Sequence, residues 1–516
     1  MTGVTRCDAL VLGGDLEGLV AALAIARNGR RVVVLCERPR PGGLHGSEEL
    51  GSSGIETHGT VFDEDRFESE LAGELGLEAH GLSFESAPDV IAVDRAGRHL
   101  RIERGADDPY AALSADLAAR AREFAASLDQ HREVLREELV AAPPDLVPDN
   151  LTPALRLTSR AARWRGLGAA SMHELLWRLP TSVADWFGDH FDDELLRAML
   201  AADALPGTWH GPRAAGSSAV WLLRDAARGT RVRRPVGGGP ALVRSLLRAL
   251  RERGARVHCG EAIGGLLTTG QAKSTRARGA WLADGTEFRA DAVLSTLAPR
   301  RTLEQLTPAG ALDVDDCESL APLRCRGTIA VLDLAFEREP GLAALGGAAF
   351  DQLRLLNDNG QLERAADDVK HGRTASEPWL EVHGSRADDG RAVWTTHVHG
   401  VPHAPTGGWT VPARRELIDR VYAVLADAVP DLADHVSAER LRTPSDLARA
   451  HGLAGGHLWH AELALDQLLM LRPTHELSTY RAPLAGLSLG SAAQHPGGLL
   501  PGRAGRIAAE VLLQTS

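Results

Sequence analysis

Residues 8–37 read DALVLGGDLEGLVAALAIARNGRRVVVLCE. A short apolar run, ALVL, leads into a glycine-rich turn. An Ala/Leu-rich stretch follows and stops at Asn28-Gly29, and a second apolar run, RVVVLC, completes the unit. Short apolar runs bounded by turn signals read as strands, and the segment between them reads as a helix. The stretch therefore predicts a βαβ unit of the kind that holds a dinucleotide where its helix begins. Gly13 and Gly18 keep the spacing of the first and third glycines of G-x-G-x-x-G. With Gly14 at a variable position, the middle glycine, whose missing side chain lets the backbone approach a diphosphate, is replaced by Asp15.

Two further blocks continue the pattern. GGGPALVRSLLRALRERGARVHCGEAIGGLLTTG at 237–270 reads as turn, helix, strand and strand, and ARGAWLADGTEFRADAVLSTLAP adds a hairpin about Asp284-Gly285 and another buried strand. LAGLSLGSAAQHPGGLLPGRAGRIAAEVLLQ at 484–514 reads as a strand, a Gly/Pro turn and a closing helix. These pieces predict an α/β fold with one nucleotide-binding domain, discontinuous in sequence, from 1–79, 231–305 and 451–516. A covering α+β substrate domain is expected from 80–230, rich in helical patterns, and 306–450, which mixes strands such as GTIAVLDLAF with helices. No internal repeat or low-complexity tract interrupts this organisation.

Composition narrows the function. The 516 residues are 44% hydrophobic and 24% charged, which describes a globular chain long enough for more than one domain. The net charge of -12 opposes a general role on nucleic acid, which depends on clustered cations against phosphates. Five scattered cysteines form no zinc or disulfide framework, so free thiols in a reducing compartment are expected. The N-terminus runs straight into a strand without a secretory pattern, and no apolar run is long enough to span a bilayer; a cytoplasmic location is expected.

The βαβ unit followed by RPRPGG at 38–43, PVGGGPALVRSLLRALRERGARV at 235–257, LADGTEFRADAVLSTLAPRRTL at 282–303 and YRAPLAGLSLGSAAQHPGGLLPGRAGRIAA at 480–509 occur in a telling order and spacing. The chain resembles the phytoene desaturase family of FAD-dependent oxidoreductases, most closely its non-carotenoid, pyridine nucleotide-disulfide-oxidoreductase-like branch. DELLRAMLAADALPGTWHGPRAAGSSAVWLL at 193–223 and GGHLWHAELALDQLLMLRP at 455–473 also fit that branch. The resemblance implies the architecture of amine oxidases and GDP-dissociation inhibitors. It also implies one FAD facing a tunnel for a lipophilic substrate, and hydrogen transfer at a carbon-carbon bond. The cofactor contacts it implies are Gly13, Gly14, Asp15, Gly18, Cys36, Glu37, Gly42, Gly43, Ile263, Gly490, Gly497, Gly498 and Leu499.

Four positions depart from that pattern. Asp15 sets a negative charge beside a diphosphate, and two unit charges about 4 Å apart at an effective dielectric near 20 repel by about 4 kcal/mol, or roughly three powers of ten in affinity. The ribose-binding glutamate falls at Cys36, with Glu37 one residue late and on the other face unless the strand has ended. Leu44 follows Gly42-Gly43 where relatives have arginine, and Leu499 stands in a C-terminal turn of small residues that faces the flavin, where it is expected to intrude. Two readings follow: an FAD-dependent oxidoreductase, or a flavin-free member that binds a lipid-like ligand or partners an active homologue.

His58 and His495 are the titratable candidates the resemblance brings near a flavin, each weighed against a structural histidine in a turn. Lys273 and Lys370, the two lysines, are poor candidates for a flavin-contacting lysine. His397, His399 and His403 in TTHVHGVPH superficially suggest a metal, but no neighbouring carboxylate or cysteine completes a set, so no metal is expected. LRLTSRAARWRGLGAASMHELLWRL at 155–179 interleaves arginine with Trp and Leu, which suits either a packing helix with a solvated face or peripheral membrane contact. Association with a second copy or a homologue is the remaining partner expectation.

Overall fold

The structure, a computed structural model, describes residues 4–144, 151–229, 232–270, 274–348, 350–387 and 389–515. Lys273 and most of the proline-containing segment 142–150 lie outside them. Strands β1 (Val4–Leu12) and β2 (Val32–Cys36) open a first sheet, and β3 (Val90–Val93) and β4 (His99–Ile102) lie in a second. The chain returns to the first with β5 (Arg256–Cys259), β6 (Ile263–Thr269), β7 (Arg276–Leu282) and β8 (Glu287–Ser295). It then crosses back with β9 (Ile329–Phe336), β10 (Gln352–Leu355), β11 (Leu380–Arg386), β12 (Ala392–His399) and β13 (Val436–Arg442), and β14 (Leu487–Leu489) closes the first sheet.

The first sheet runs β6-β7-β8-β1-β2-β5, with β14 paired to the free length of β8. β1 lies parallel to β2 (Ala9↔Val32) and to β8 (Val4↔Glu287), and β2 lies parallel to β5 (Cys36↔Cys259). The hairpin about Asp284 joins β7 to β8, with the Thr286 amide donating to the Asp284 carboxylate at 2.8 Å. All seven strands come from residues 4–12, 32–36, 256–295 and 487–489, and those of the second sheet come from 90–102 and 329–442.

Helix α1 (Leu16–Arg27) buries every residue from Leu16 to Ala26. A helix apolar all round must be enclosed, and α1 lies against the sheet between α3 (Gly238–Glu252) and α4 (Arg503–Thr515). Each fully buried Leu or Ile of this layer contributes about 1.5–3 kcal/mol. The i, i+3/i+4 series Leu242, Val243, Leu246, Ala249 and Leu250 turns α3 onto it. Helix α2 (Asp129–Val140), which precedes α3 in the chain, belongs to the helical cover over the second sheet.

The second sheet runs β13-β9-β12-β11-β10-β3-β4. β9 and β12 are buried along their whole length, polar residues included. A buried polar group must be paired, and Asp333 of β9 accepts from the Thr395 hydroxyl at 3.0 Å and from Arg440 and Arg442 at 2.9 Å each. No described helix is long and apolar enough to cross a membrane.

Candidate functional site

At the C-terminal ends of β1 and β2 lies a cavity of about 270 Å³, just below the roughly 300–1,000 Å³ of small-molecule sites. Its floor is the turn before α1, where the expected cofactor residues Gly13, Gly14, Asp15, Cys36, Glu37, Gly43 and Gly498 meet, together with Leu44. A Cβ on Gly14 would come within 2.7 Å of the Cys36 sulfur, so the turn and the end of β2 touch.

The Asp15 side chain occupies the start of α1. Its Oδ1 accepts the Gly18 amide at 2.9 Å and the Thr296 hydroxyl at 2.7 Å. The first turn of a helix presents unsatisfied N–H groups and a partial positive charge, which is why it attracts anions. Here the chain supplies the anion. Burial raises the Asp15 pKa, against the two hydrogen bonds that favour the carboxylate. Glu17, two residues on, does the same for α4: its two oxygens accept the amides of Gly502 at 2.9 Å and Gly505 at 2.7 Å. Burial drives the Glu17 pKa up to about 8, with the Asp15 charge adding to the effect.

The end of β2 resolves the register question. The strand stops at Cys36, so Cys36 and Glu37 both line the cavity. Glu37 Oε1 is held by the Ile263 amide at 2.8 Å and by the Arg301 guanidinium. Ile263 is itself buried outside the cavity wall and takes part through its backbone.

Opposite the turn stands a second polar pair, His45 with Asp63, 2.7 Å apart. Burial disfavours charge on both. Their mutual attraction nonetheless holds the imidazole above its ordinary value and the carboxyl below its own. Asp63 also accepts the Trp459 indole N–H at 2.9 Å. That indole packs against Gly498, where a Cβ would come within 2.0 Å of its ring; the glycine admits the tryptophan.

Several expected residues stand elsewhere. Gly18 and Gly490 serve close packing: their Cβ positions fall 2.1 Å from the Gly13 carbonyl and 2.6 Å from Ala508. Gly42 bonds through its amide to the Gly14 carbonyl at 2.6 Å, and Gly497 packs on the buried Arg472. Leu499 does not intrude into the cavity; it is 1% exposed and sits in the helical core of the covering layer. His495 is also directed away, its Nε2 donating to the Glu138 carbonyl of α2 at 2.9 Å, and burial pushes its pKa down to about 4.

His58 lines a different cleft of about 430 Å³, on the far side of residues 61–64. Val61 and Asp63 face the cavity at the start of α1, whereas Phe62 and Glu64 face the cleft. Burial raises Glu64 to about 7, and Phe62 stacks on His383 with ring centroids 4.0 Å apart.

The histidine group also needs correction. Glu381 of β11 is the register partner of His397, and its Oε2 accepts His399 Nε2 at 3.2 Å, so a carboxylate does stand beside the two histidines. Each group is engaged within the protein: His397 Nε2 donates to the Thr60 carbonyl at 2.7 Å, and Glu381 Oε1 accepts from Arg354 at 2.9 Å. Arg354 in turn pairs with Asp203. His403 takes no part in the group.

A family model described as flavin containing amine oxidoreductase matches residues 18–497. The chain is 28% identical to the mouse pyridine nucleotide-disulfide oxidoreductase domain-containing protein 2, over 98% of this chain and 93% of the relative. The rat protein of the same name is 26% identical over the same shares. Among solved structures, a putrescine oxidase bound to putrescine superposes with a TM-score of 0.59 at 13% identity, each chain covered to 99%. A cyclohexylamine oxidase from Brevibacterium oxydans superposes with 0.56 at 15% identity, covering 98% of this chain and 99% of its own. At these identities the structures bear on the fold alone.

Proposed function

The chain belongs to the flavin-containing amine oxidoreductase family, and from that premise we propose that it is a flavin-free member. In this reading it holds a lipid-like or otherwise lipophilic small molecule, alone or as the non-catalytic partner of an active homologue. The observation that carries this reading is the Asp15 carboxylate on the Gly18 amide, at the helix start where a dinucleotide would lay its diphosphate. A diphosphate would meet the Asp15 carboxylate there, at a cost of about 4 kcal/mol for unit charges about 4 Å apart, and would find the amides at the start of α4 already taken by Glu17. The residues present therefore do not fit FAD. The remaining wall includes Leu16, Leu44, Val61, Leu458 and Trp459, which suits an apolar guest.

A second reading is an FAD-dependent, phytoene desaturase-like oxidoreductase acting on a lipophilic or conjugated molecule. It is favoured by the retained Gly13–Gly18 turn and by three guanidinium groups at the cavity, Arg38, Arg301 and Arg449. Either protein would work in the cytoplasm. Trp177 and Leu176, 53% and 57% exposed on the helix Gly168–Arg178, supply a surface for peripheral membrane contact.

The absorption spectrum separates the readings. Protein that is colourless as purified, stays colourless after incubation with FAD and desalting, and retains a lipophilic fluorophore supports the first. A flavin band that survives desalting overturns it and selects the second.

A further inference from the structure

Cys36 and Cys259 end neighbouring strands. They are register partners in the parallel pair β2–β5. We propose that these two cysteines form a reversible disulfide at the rim of the cavity at the start of α1, driven by hydrogen peroxide or a related hydroperoxide.

Three observations support the assignment. Adjacent strands lie about 4.7–4.9 Å apart, inside the roughly 4.4–6.8 Å window of Cα separations that a disulfide spans. The two residues differ in access: Cys36 is 4% exposed, whereas Cys259 is partly open to solvent, so one sulfur can meet an oxidant and the other resolve the product. Their acidities are also split. The neighbouring Cys36 thiol brings Cys259 down to about 7, whereas Cys259 and burial push Cys36 upward. Thiolate character and exposure together set susceptibility to oxidation. Cys7 and Cys325 are raised by burial to about 11 and lack thiolate character, and exposed Cys317 has no described cysteine partner.

The chemistry balances with peroxide as the only oxidant. The Cys259 thiolate attacks one peroxide oxygen, the O–O bond breaks, and hydroxide leaves to take up a proton as water; Cys259 is now a sulfenic acid. The Cys36 sulfur attacks that sulfur, the S–S bond forms, the S–O bond breaks, and the departing hydroxide takes the Cys36 proton as a second water. Two thiols are oxidised, one peroxide is reduced, and any dithiol reductant restores the pair.

Oxidation would be felt inside the cavity. The Cys36 sulfur packs against Gly14 and lies 3.4 Å from the Arg38 carbonyl. Turning it toward Cys259 withdraws it from the turn that carries Asp15.

The experiment uses the full chain carrying Cys317→Ser, treated with stoichiometric peroxide. The expected result is an intact mass lower by two hydrogens, a linked peptide pair containing Cys36 and Cys259, and reversal by dithiothreitol. In the Cys36→Ser variant, Cys259 is expected to be trapped by dimedone as the sulfenic acid, and in Cys259→Ser neither product forms. Two thiols that both remain alkylatable after peroxide, or a link from either to another cysteine, overturn the proposal. If a serine variant fails to fold, the linked peptide from the Cys317→Ser chain decides alone. Flavin binding enters none of these readouts.

Discussion

The two sheets keep buried carboxylates by opposite means. At the end of the first, Asp15 and Glu17 are held by backbone amides at the starts of α1 and α4. Beside the second, Asp203, Glu381 and Asp333 are held by guanidinium groups of Arg228, Arg354, Arg440 and Arg442. Amide dipoles do not fully offset burial, so the first pair is raised. Full charges do, so despite burial Asp203 and Glu381 lie well below the usual range. The first arrangement is one an external anion could replace; the second is closed on itself.

The comparison can be broken most strongly by removing the internal anion. In the Asp15→Gly/Cys36→Glu double variant, FAD affinity should rise by about three powers of ten from the lost repulsion alone, read by flavin fluorescence titration. An unchanged affinity means that Asp15 does not guard the turn. Breaking the other side, Arg354→Met takes the guanidinium from Glu381, leaving Asp203 to Arg228, and should lower unfolding stability by about 3–5 kcal/mol in urea titration. A loss below 1 kcal/mol would show that these carboxylates do not depend on it.

The pH dependences should then oppose each other. Glu17 carries a folded pKa of about 8 above an unfolded value near 4.5. The folded state therefore binds more protons between those values, and stability declines as pH rises from about 4.5 through 8. Glu48, held down to about 2 against burial by Arg442, His451 and Arg38, contributes stability that is lost as pH falls from about 4.5 toward 2. Urea midpoints across pH should show a flatter neutral limb in Glu17→Gln and a flatter acid limb in Glu48→Gln; parallel curves would break the distinction. The smallest effect belongs to Thr296→Val, which removes one hydrogen bond to Asp15 and should cost about 0.5–1.5 kcal/mol, measured in the same titration.

Much of this was legible in the sequence because it is periodic and local. ALVL, the helix of residues 16–27 and VVVLC declare their geometry over a few residues, and the spacing of Gly13 to Gly18 isolates Asp15 without a structure. Glu17 was not legible, since its partners Gly502 and Gly505 lie some 485 residues away and an acidic residue in a first helical turn looks ordinary. Glu381 joins His397 only through the register of β11 against β12, which no spacing encodes. Leu499 and His495 follow from the same limit: a turn of small residues says that a neighbour comes close, but not on which side. The cavity's His45–Asp63 pair is likewise a meeting of two loops.

The pairing of Val4 with Glu287 also carries a consequence for synthesis. At about 5–20 residues per second on the ribosome, β1 emerges on the order of 15–60 s before β8 is made, and β14 must still arrive to complete the edge of β8. Through that interval the nascent βαβ unit shows an apolar edge with no partner, the condition under which chains aggregate or are held by chaperones. The first sheet is the first to be translated and among the last to be finished.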